Sequence, residues 1–224
     1  MDCEIFGAGN IRLFISKEHR FGTDSLLLGE YAAKAFGRGS VRVVCDLCSG
    51  CGIIPVTLCS ANFKPPKKIF AVEAREEAAD LLRRTVGENK LGFIEVIRGD
   101  LRSDETLAEI GRGSADLVTA NPPYYPAKSG RERSSEAQRA ARYETLCTVG
   151  DVIGAAAFLL KFGGEFKMCM TAERLTDCVC LMRERGLEPK EIVFIPYGKS
   201  KAARLFLISG KKGGKPGVKT VWRW

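Results

Sequence analysis

The chain has 224 residues, 45% hydrophobic and 28% charged, which describes one soluble globular domain with enough length for a full core. It contains no apolar run of membrane-spanning length, and Met1-Asp2-Cys3-Glu4 lacks the positive and apolar stretches of a secretory signal, so a cytoplasmic protein without a membrane partner is expected. The net charge of +8 favours a polyanionic partner.

Alternation over residues 11–15 predicts a short strand. Thr23 is placed as the N-cap of an amphipathic helix reaching about residue 36, with Leu26, Leu27, Tyr31 and Ala35 on its inner face. From residue 41 strands and helices alternate. Strands are predicted at 41–47, 69–73, 93–98 and 115–120, and helices at 53–61, 75–89, 135–143 and 149–161. Gly163-Gly164 is read as a turn into a strand at 165–170, followed by a helix at 172–185. Strands at 192–196 and 203–209 close the pattern, with a turn at 199–202 between them. Residues 210–217, rich in Gly and Lys, are read as a flexible tail, and Trp222 and Trp224 as packing that tail on the body. The expected fold is α/β, a mostly parallel seven-stranded sheet with helices on both faces and a C-terminal antiparallel hairpin at its edge.

Nine cysteines are an odd number. Cys45, Cys59, Cys169, Cys178 and Cys180 fall in apolar runs and read as small core residues. Cys48-x-x-Cys51 has metal-ligand spacing, but no second pair matches it, so no metal is expected.

Residues 116–124 read Asp-Leu-Val-Thr-Ala-Asn-Pro-Pro-Tyr. The apolar run reads as a buried strand, and two prolines without N–H groups must end it. Such a stiff loop lies where open α/β sheets place their ligands. It would aim the Asn121 amide, a backbone carbonyl and the Tyr124 ring at one small volume. Two acceptors and an aromatic face suit a planar group bearing an exocyclic NH2.

Asp46-Leu47-Cys48-Ser49-Gly50-Cys51-Gly52 joins the first parallel strand to a helix, where glycines let the backbone approach a ligand. The leading Asp46 suits a cationic ligand better than a pyrophosphate. The next strand ends at Glu73, placed to accept from ribose hydroxyls, and the third is followed by Asp100-Leu101, where the carboxylate could face an adenine amine. Three acids at three strand ends, with no Lys or Arg in the glycine turn, point to a nucleoside lacking phosphates, and S-adenosylmethionine fits.

These residues resemble the Rossmann-like class I S-adenosylmethionine-dependent methyltransferases, and Asn121-Pro122-Pro123-Tyr124 resembles the branch that methylates planar NH2 nitrogens. Arg20-Phe21-Gly22-Thr23-Asp24-Ser25-Leu26-Leu27-Leu28, Asp46-Leu47-Cys48-Ser49-Gly50, Ala141-Arg142-Tyr143-Glu144 and Gly214-Lys215-Pro216-Gly217 resemble the bacterial tRNA1(Val) (adenine-N6)-methyltransferase family. The resemblance spans almost the whole chain. Cys48 departs from it, standing where the wider class usually has the first glycine; unusual backbone angles there would strain a cysteine. The division implied is an N-terminal extension covering the cofactor (1–40), a methyltransferase domain (41–210) and a basic tail (211–224).

What the resemblance implies is transfer of a methyl group to N6 of an adenosine in tRNA, in the anticodon loop. Asn121 and the Pro122 carbonyl would accept the amine's N–H groups, and Tyr124 would stack on the base. Thr23, Asp24, Asp46, Cys48, Gly50, Gly52, Glu73, Asp100, Leu101 and Asn121 would hold the cofactor. Two basic groups, Lys128, Arg131, Arg133, Arg139 and Arg142 after the loop and Lys211, Lys212 and Lys215 near the C-terminus, would track phosphates. His19, the one histidine, is read as a surface or loop residue. A monomer is favoured. The competing readings are a glutamine N5 protein methyltransferase, a guanine-N2 ribosomal RNA methyltransferase and a non-catalytic RNA-binding protein on this scaffold. The first two carry a further domain, for which about forty residues before the first parallel strand leave no room.

Overall fold

A computed structural model describes residues 2–6, 10–36, 41–60, 65–124, 147–196 and 202–222. β1 (Asp2–Phe6) and β2 (Ile11–Ile15) pair antiparallel as a separate small sheet; only the second was anticipated, since β1 is largely exposed. α1 (Thr23–Ala33) has Gly22 at its N-cap, so Thr23 is the first helical residue and not the cap. The Asp24 carboxylate folds back over Gly22, where a Cβ would lie 2.1 Å from Asp24 Oδ1. Tyr31 and Ala35 are buried as expected; Leu28 and Ala32 complete that face, while Leu26 and Leu27 are half-buried.

The main sheet contains β3 (Val43–Leu47), β4 (Lys68–Glu73), β5 (Ile94–Arg98), β6 (Ala115–Ala120), β7 (Leu160–Thr171), β8 (Leu187–Pro196), β9 (Ala203–Lys212) and β10 (Lys219–Trp222). Their order is β10-β8-β9-β7-β6-β3-β4-β5. β9 runs antiparallel to both neighbours, and every other pairing is parallel. The order reverses at β3, which pairs with β4 on one side and β6 on the other. A crevice at such a switch point is where these folds bind ligands.

α2 (Ile53–Ser60), α3 (Glu76–Glu88), α4 (Asp104–Ile110), α5 (Val149–Leu159) and α6 (Leu175–Glu184) complete the described helices. Two apolar cores result. α1, α2 and α3 pack with β2 on one face, through residues such as Leu28, Ile54, Val56 and Leu82. α4, α5 and α6 pack on the other, through Leu107, Ile153, Leu159 and Met182. α5 starts from a capping box in which Thr148 accepts from the Asp151 N–H and Asp151 accepts from the Thr148 N–H. None of the described helices is long and apolar enough to cross a membrane.

Several expectations are corrected. The sheet has eight strands, because Lys219–Trp222 adds a strand parallel to β8. The C-terminal hairpin therefore does not form the edge. Residues 210–212 continue β9, so the segment read as a flexible tail is partly sheet. Its anchor is aromatic: the Trp222 ring lies 5.1 Å from that of Phe194. Gly163-Gly164 lies inside β7, opposite a register shift between Ala115 and Leu117. A Cβ on Gly164 would approach the Asp116 carbonyl to 3.2 Å, so glycine admits the irregular pairing. α4 was not anticipated, and Cys180 is exposed rather than in the core. The predicted helix at 135–143, the Ala141–Glu144 motif, most of the 199–202 turn and Trp224 lie outside the described residues.

Aromatic pairs contribute about 0.5–1.5 kcal/mol beyond their buried area. Trp222→Ala is expected to lower unfolding stability by about 1 kcal/mol in urea titrations, whereas a free tail would give no change.

Candidate functional site

The site is assembled at the C-terminal ends of β3, β4 and β6. β3 leads into a tight turn in which Cys48, Gly50 and Gly52 all adopt left-handed backbone, with φ of 58°, 57° and 89°. Position 48 therefore is the strained one the sequence implied. Gly52 faces away from the ligand side, since a Cβ there would lie 2.1 Å from Leu82 Cδ1. Its role is close packing of the turn on α3.

Asp46 is fully buried beneath this turn. Its Oδ2 accepts from the Ser49 hydroxyl and its Oδ1 from the Thr119 hydroxyl, each at 2.6 Å. Burial pushes the Asp46 carboxyl up to about 7 against the two hydroxyl hydrogen bonds, and the nearby Glu73 charge adds to the rise. Glu73, 4% exposed, ends β4. Its Oε2 accepts from the Gly50 N–H at 2.7 Å, and its Oε1 from the Arg75 N–H at 3.0 Å and Arg75 Nε at 2.7 Å. Asp100 follows β5 and is clasped by Arg102 through Nε and Nη2, at 3.0 and 2.6 Å. That pairing holds its carboxyl below the usual range.

β6 delivers Asn121. Asn121 Nδ2 donates to Asp24 Oδ2 at 2.9 Å and to Ser25 Oγ at 2.8 Å, both on the first turn of α1. The Tyr124 hydroxyl lies 2.6 Å from Asn121 Oδ1 and also reaches Asp24 Oδ2. Burial raises the Tyr124 phenol well above its ordinary value. Its ring is half-buried and packs against both cores, so it acts as a strut as well as a cavity wall.

A cavity of about 810 Å³ opens among these groups. Thr23, Asp24, Cys48, Gly50, Glu73, Asp100, Leu101, Asn121 and Tyr124 line it, whereas Asp46, Gly52 and Pro122 do not. Arg75, Ser25 and Cys147 also line it and were not anticipated; with Arg102 they frame the acids. The signal for the arginines was available, because Glu73-x-Arg75 and Asp100-x-Arg102 repeat one spacing after two strands.

The basic groups divide. Lys128, Arg131, Arg133, Arg139 and Arg142 lie outside the described residues. Lys211 and Lys212 end β9 opposite Glu165 and Leu187, whereas the cavity lies toward Thr171, which pairs with Leu205 at the other end of that strand. The Lys212 ammonium is also occupied, donating to the Ala157 and Leu160 carbonyls at 2.6 and 2.7 Å. The Lys215 carbonyl accepts from Lys190. Lys17, Arg20 and Arg204 border the cavity instead. His19 is buried rather than on the surface, with Nε2 3.1 Å from Glu77 Oε2. Cys51 is buried, and Cys48 Sγ lies 3.9 Å from Cys147 Sγ.

Residues 14–175 match the methyltransferase small domain family, and the chain belongs to it. The chain is 28% identical over 160 residues to a tRNA1(Val) (adenine(37)-N6)-methyltransferase of Porphyromonas gingivalis, covering 70% of this chain and 61% of that protein. It is 33% identical over 176 residues to a release factor glutamine methyltransferase of Bifidobacterium longum, covering 76% of this chain and 52% of that protein. The chain thus spans between half and two thirds of the length of these relatives. In fold it is similar to a predicted O-methyltransferase from Agrobacterium tumefaciens, with a TM-score of 0.66, 19% identity and coverage of 89% of this chain and 85% of that one.

The buried Asp46 sets a pH dependence. Its folded value of about 7 exceeds the roughly 3.9 of an unfolded aspartate, so the folded state binds the proton more tightly. The resulting stability is full below about pH 4 and is lost as pH rises through about 7. Asp46→Asn removes this contribution. Paired urea titrations from pH 4.5 to 8 are expected to show wild type losing ground to the variant up to about pH 7, by a few kcal/mol in total, and a constant difference above it.

Proposed function

We propose that the protein is an S-adenosylmethionine-dependent N-methyltransferase acting on the exocyclic N6 of an adenosine in tRNA. The observation that carries this reading is Asn121 at the end of β6, lining the same cavity as Gly50, Glu73 and Asp100. The cavity volume suits a nucleoside-sized ligand. Glu73 and Asp100 present carboxylate acceptors to hydroxyl and amine donors, and Gly50 lets the backbone approach closely. S-adenosylmethionine, when bound, supplies a methyl group already activated on a sulfonium.

The chain's own residues supply orientation and acceptors. An exocyclic amine is a poor nucleophile because its lone pair is delocalised into the ring. Accepting hydrogen bonds from both N–H groups favours a pyramidal nitrogen as the new bond forms. Asn121 Oδ1 keeps one lone pair for this after receiving the Tyr124 hydroxyl; Pro122 does not itself line the cavity, and its carbonyl is assigned as the second acceptor on the resemblance of the Asn-Pro-Pro-Tyr loop alone. The carboxylate beside Nδ2 fixes which way the amide points. The Tyr124 ring gives an aromatic surface for the base, and stacking contributes about 1–3 kcal/mol. A base in an unstacked loop of RNA reaches such a pocket without breaking a helix.

Release-factor glutamine methylation is the second reading, favoured by the Bifidobacterium relative and by the same demand for two acceptors at a planar NH2. The charge of +8 and the cations Lys17 and Arg20 at the cavity favour RNA. Incubation with labelled cofactor and either total small RNA or a peptide-chain release factor separates them. Labelled N6-methyladenosine after nucleoside digestion is expected; label on the protein glutamine would establish the second reading.

Glu73→Ala removes charge-assisted acceptors and is expected to weaken cofactor binding about ten- to hundredfold by calorimetry. Asn121→Ala is expected to abolish single-turnover transfer while leaving cofactor affinity nearly unchanged. Equal loss of both in Asn121→Ala would assign that residue to structure instead, and unchanged affinity in a folded Glu73→Ala protein would remove Glu73 from the cofactor site.

Of the described cations bordering the cavity, Lys17 and Arg20 are assigned here to RNA phosphates. Among the described residues Arg20 pairs with exposed Asp2, at 3.3 Å, and releasing such an exposed pair costs little. Replacing both with Ala is expected to flatten the dependence of log affinity on log salt by about 1.4 for single-stranded contacts. Filter binding over a salt series measures this, with cofactor affinity as the control.

A further inference from the structure

Cys48 and Cys147 come from places 99 residues apart in sequence, yet their sulfurs are 3.9 Å apart. Cys48 projects from the turn after β3, and Cys147 immediately precedes Thr148, the cap of α5. Both line the cavity, so a small solute entering it reaches them. Cys147 is otherwise buried, and Cys48 is half-buried. The Cys48 backbone is left-handed at φ 58°, a conformation disfavoured for a residue with a Cβ. A thiol thus stands at the wall of the cavity against the preference of its own backbone.

The pair is polarised. The hydrogen bond from Cys48 lowers the Cys147 thiol below its ordinary value, and the Arg102 charge adds to this against burial and the Asp151 and Asp100 charges. The same hydrogen bond, with burial and the Glu73 and Asp46 charges, pushes Cys48 up. Cys147 is therefore the more readily deprotonated of the two, and Cys48 holds its proton more tightly.

We propose that Cys48 and Cys147 are a hydroperoxide-responsive dithiol, which closes to a disulfide in the cavity wall and thereby weakens binding of the cofactor. The second half rests on the cavity being the S-adenosylmethionine site. In the first step the Cys147 thiolate attacks one oxygen of a hydroperoxide ROOH. The O–O bond breaks, RO⁻ leaves and takes up a proton as ROH, and Cys147 becomes a sulfenic acid. The Cys48 sulfur then attacks the Cys147 sulfur and loses its proton, the S–O bond breaks, and water leaves. Two thiols are oxidised by two electrons in total, and the hydroperoxide is reduced to ROH and water.

Closure has a geometric consequence. The sulfurs must approach from 3.9 Å to about 2.05 Å. Cys147 directly precedes the capping box that holds the start of α5, so closure pulls on the turn bearing Cys48. That turn is moored by the Gly50 N–H to Glu73, the acceptor proposed for the cofactor. Drawing it toward Cys147 disturbs both.

The test treats the full chain with stoichiometric hydrogen peroxide, alkylates residual thiols and digests without reduction. Mass spectrometry is expected to find Cys48 joined to Cys147, with fragmentation separating Cys48 from Cys45 and Cys51. Calorimetry with S-adenosylmethionine is expected to show affinity falling at least about tenfold, ~1.4 kcal/mol, and recovering with dithiothreitol. Cys48→Ser is expected to leave a Cys147 sulfenic acid that dimedone traps, and Cys147→Ser to show neither link nor peroxide-dependent loss relative to its own reduced state. Oxidation confined to exposed Cys3 and Cys180, or loss of affinity that persists in Cys147→Ser, overturns the proposal. A reduced protein that does not bind S-adenosylmethionine refutes the cavity reading and with it the coupling, while the mass of the linked peptides still decides the dithiol.

Discussion

The Asp46 carboxyl has no contact with solvent and is compensated by two hydroxyl donors, Ser49 and Thr119, at 2.6 Å each. An unpaired carboxylate in such a place costs several kcal/mol, so the positions of both hydroxyls are tightly constrained. Ser49 belongs to the turn that carries Cys48, Gly50 and Gly52. Thr119 belongs to β6, two residues before Asn121. One side chain therefore sets the spacing between the glycine turn and the Asn121 loop. It does so without lining the cavity, so an acid that reads in sequence as a ligand group is a keystone beneath the cavity.

Glu73 and Asp100 are held by the same device, an arginine two residues on, but the energetics differ. The Asp100–Arg102 pair is about half exposed, and such pairs contribute little to stability. Its effect is orientation: a bidentate clasp aims the carboxylate. Glu73 is nearly buried, and its three donors fill three of about four lone-pair directions. One direction is left for a ligand hydroxyl. Glu73 thus closes the turn through Gly50 and keeps acceptor capacity for a ligand, which is why a single substitution there acts on both.

The parallel strands β3 to β6 were legible because each is a short apolar run that closes within two residues of an acid or a proline, and their parallel sense follows from the alternation with helices. β10 was not, because Lys-Thr-Val-Trp behind a Gly- and Lys-rich stretch has the composition of a tail; its pairing partner, β8, lies some 28 residues earlier. The site separates in the same way. Asn121, Glu73 and Asp100 announce themselves by standing at strand ends. Asp46 does as well, but whether an acid faces the cavity or the core depends on which hydroxyls fold under it. Cys147 carries no local signal at all, since its partner is supplied by tertiary folding.

The contact between α1 and the Asn121 loop explains why the N-terminal segment belongs to the site. An amide side chain presents its oxygen or its NH2 group according to its neighbours. Here Asp24 and Ser25 are both acceptors for Nδ2, so turning the amide over would set its oxygen against a carboxylate. The Tyr124 hydroxyl engages Oδ1 from the other side. The direction in which Asn121 offers its remaining lone pair is thus decided by the first turn of a helix nearly a hundred residues away. Gly22 makes that turn possible, since a Cβ at its position would collide with the Asp24 carboxylate. The run Arg20-Phe21-Gly22-Thr23-Asp24-Ser25, which looks like a helix start, is therefore also the device that orients the amide of the strand-end asparagine.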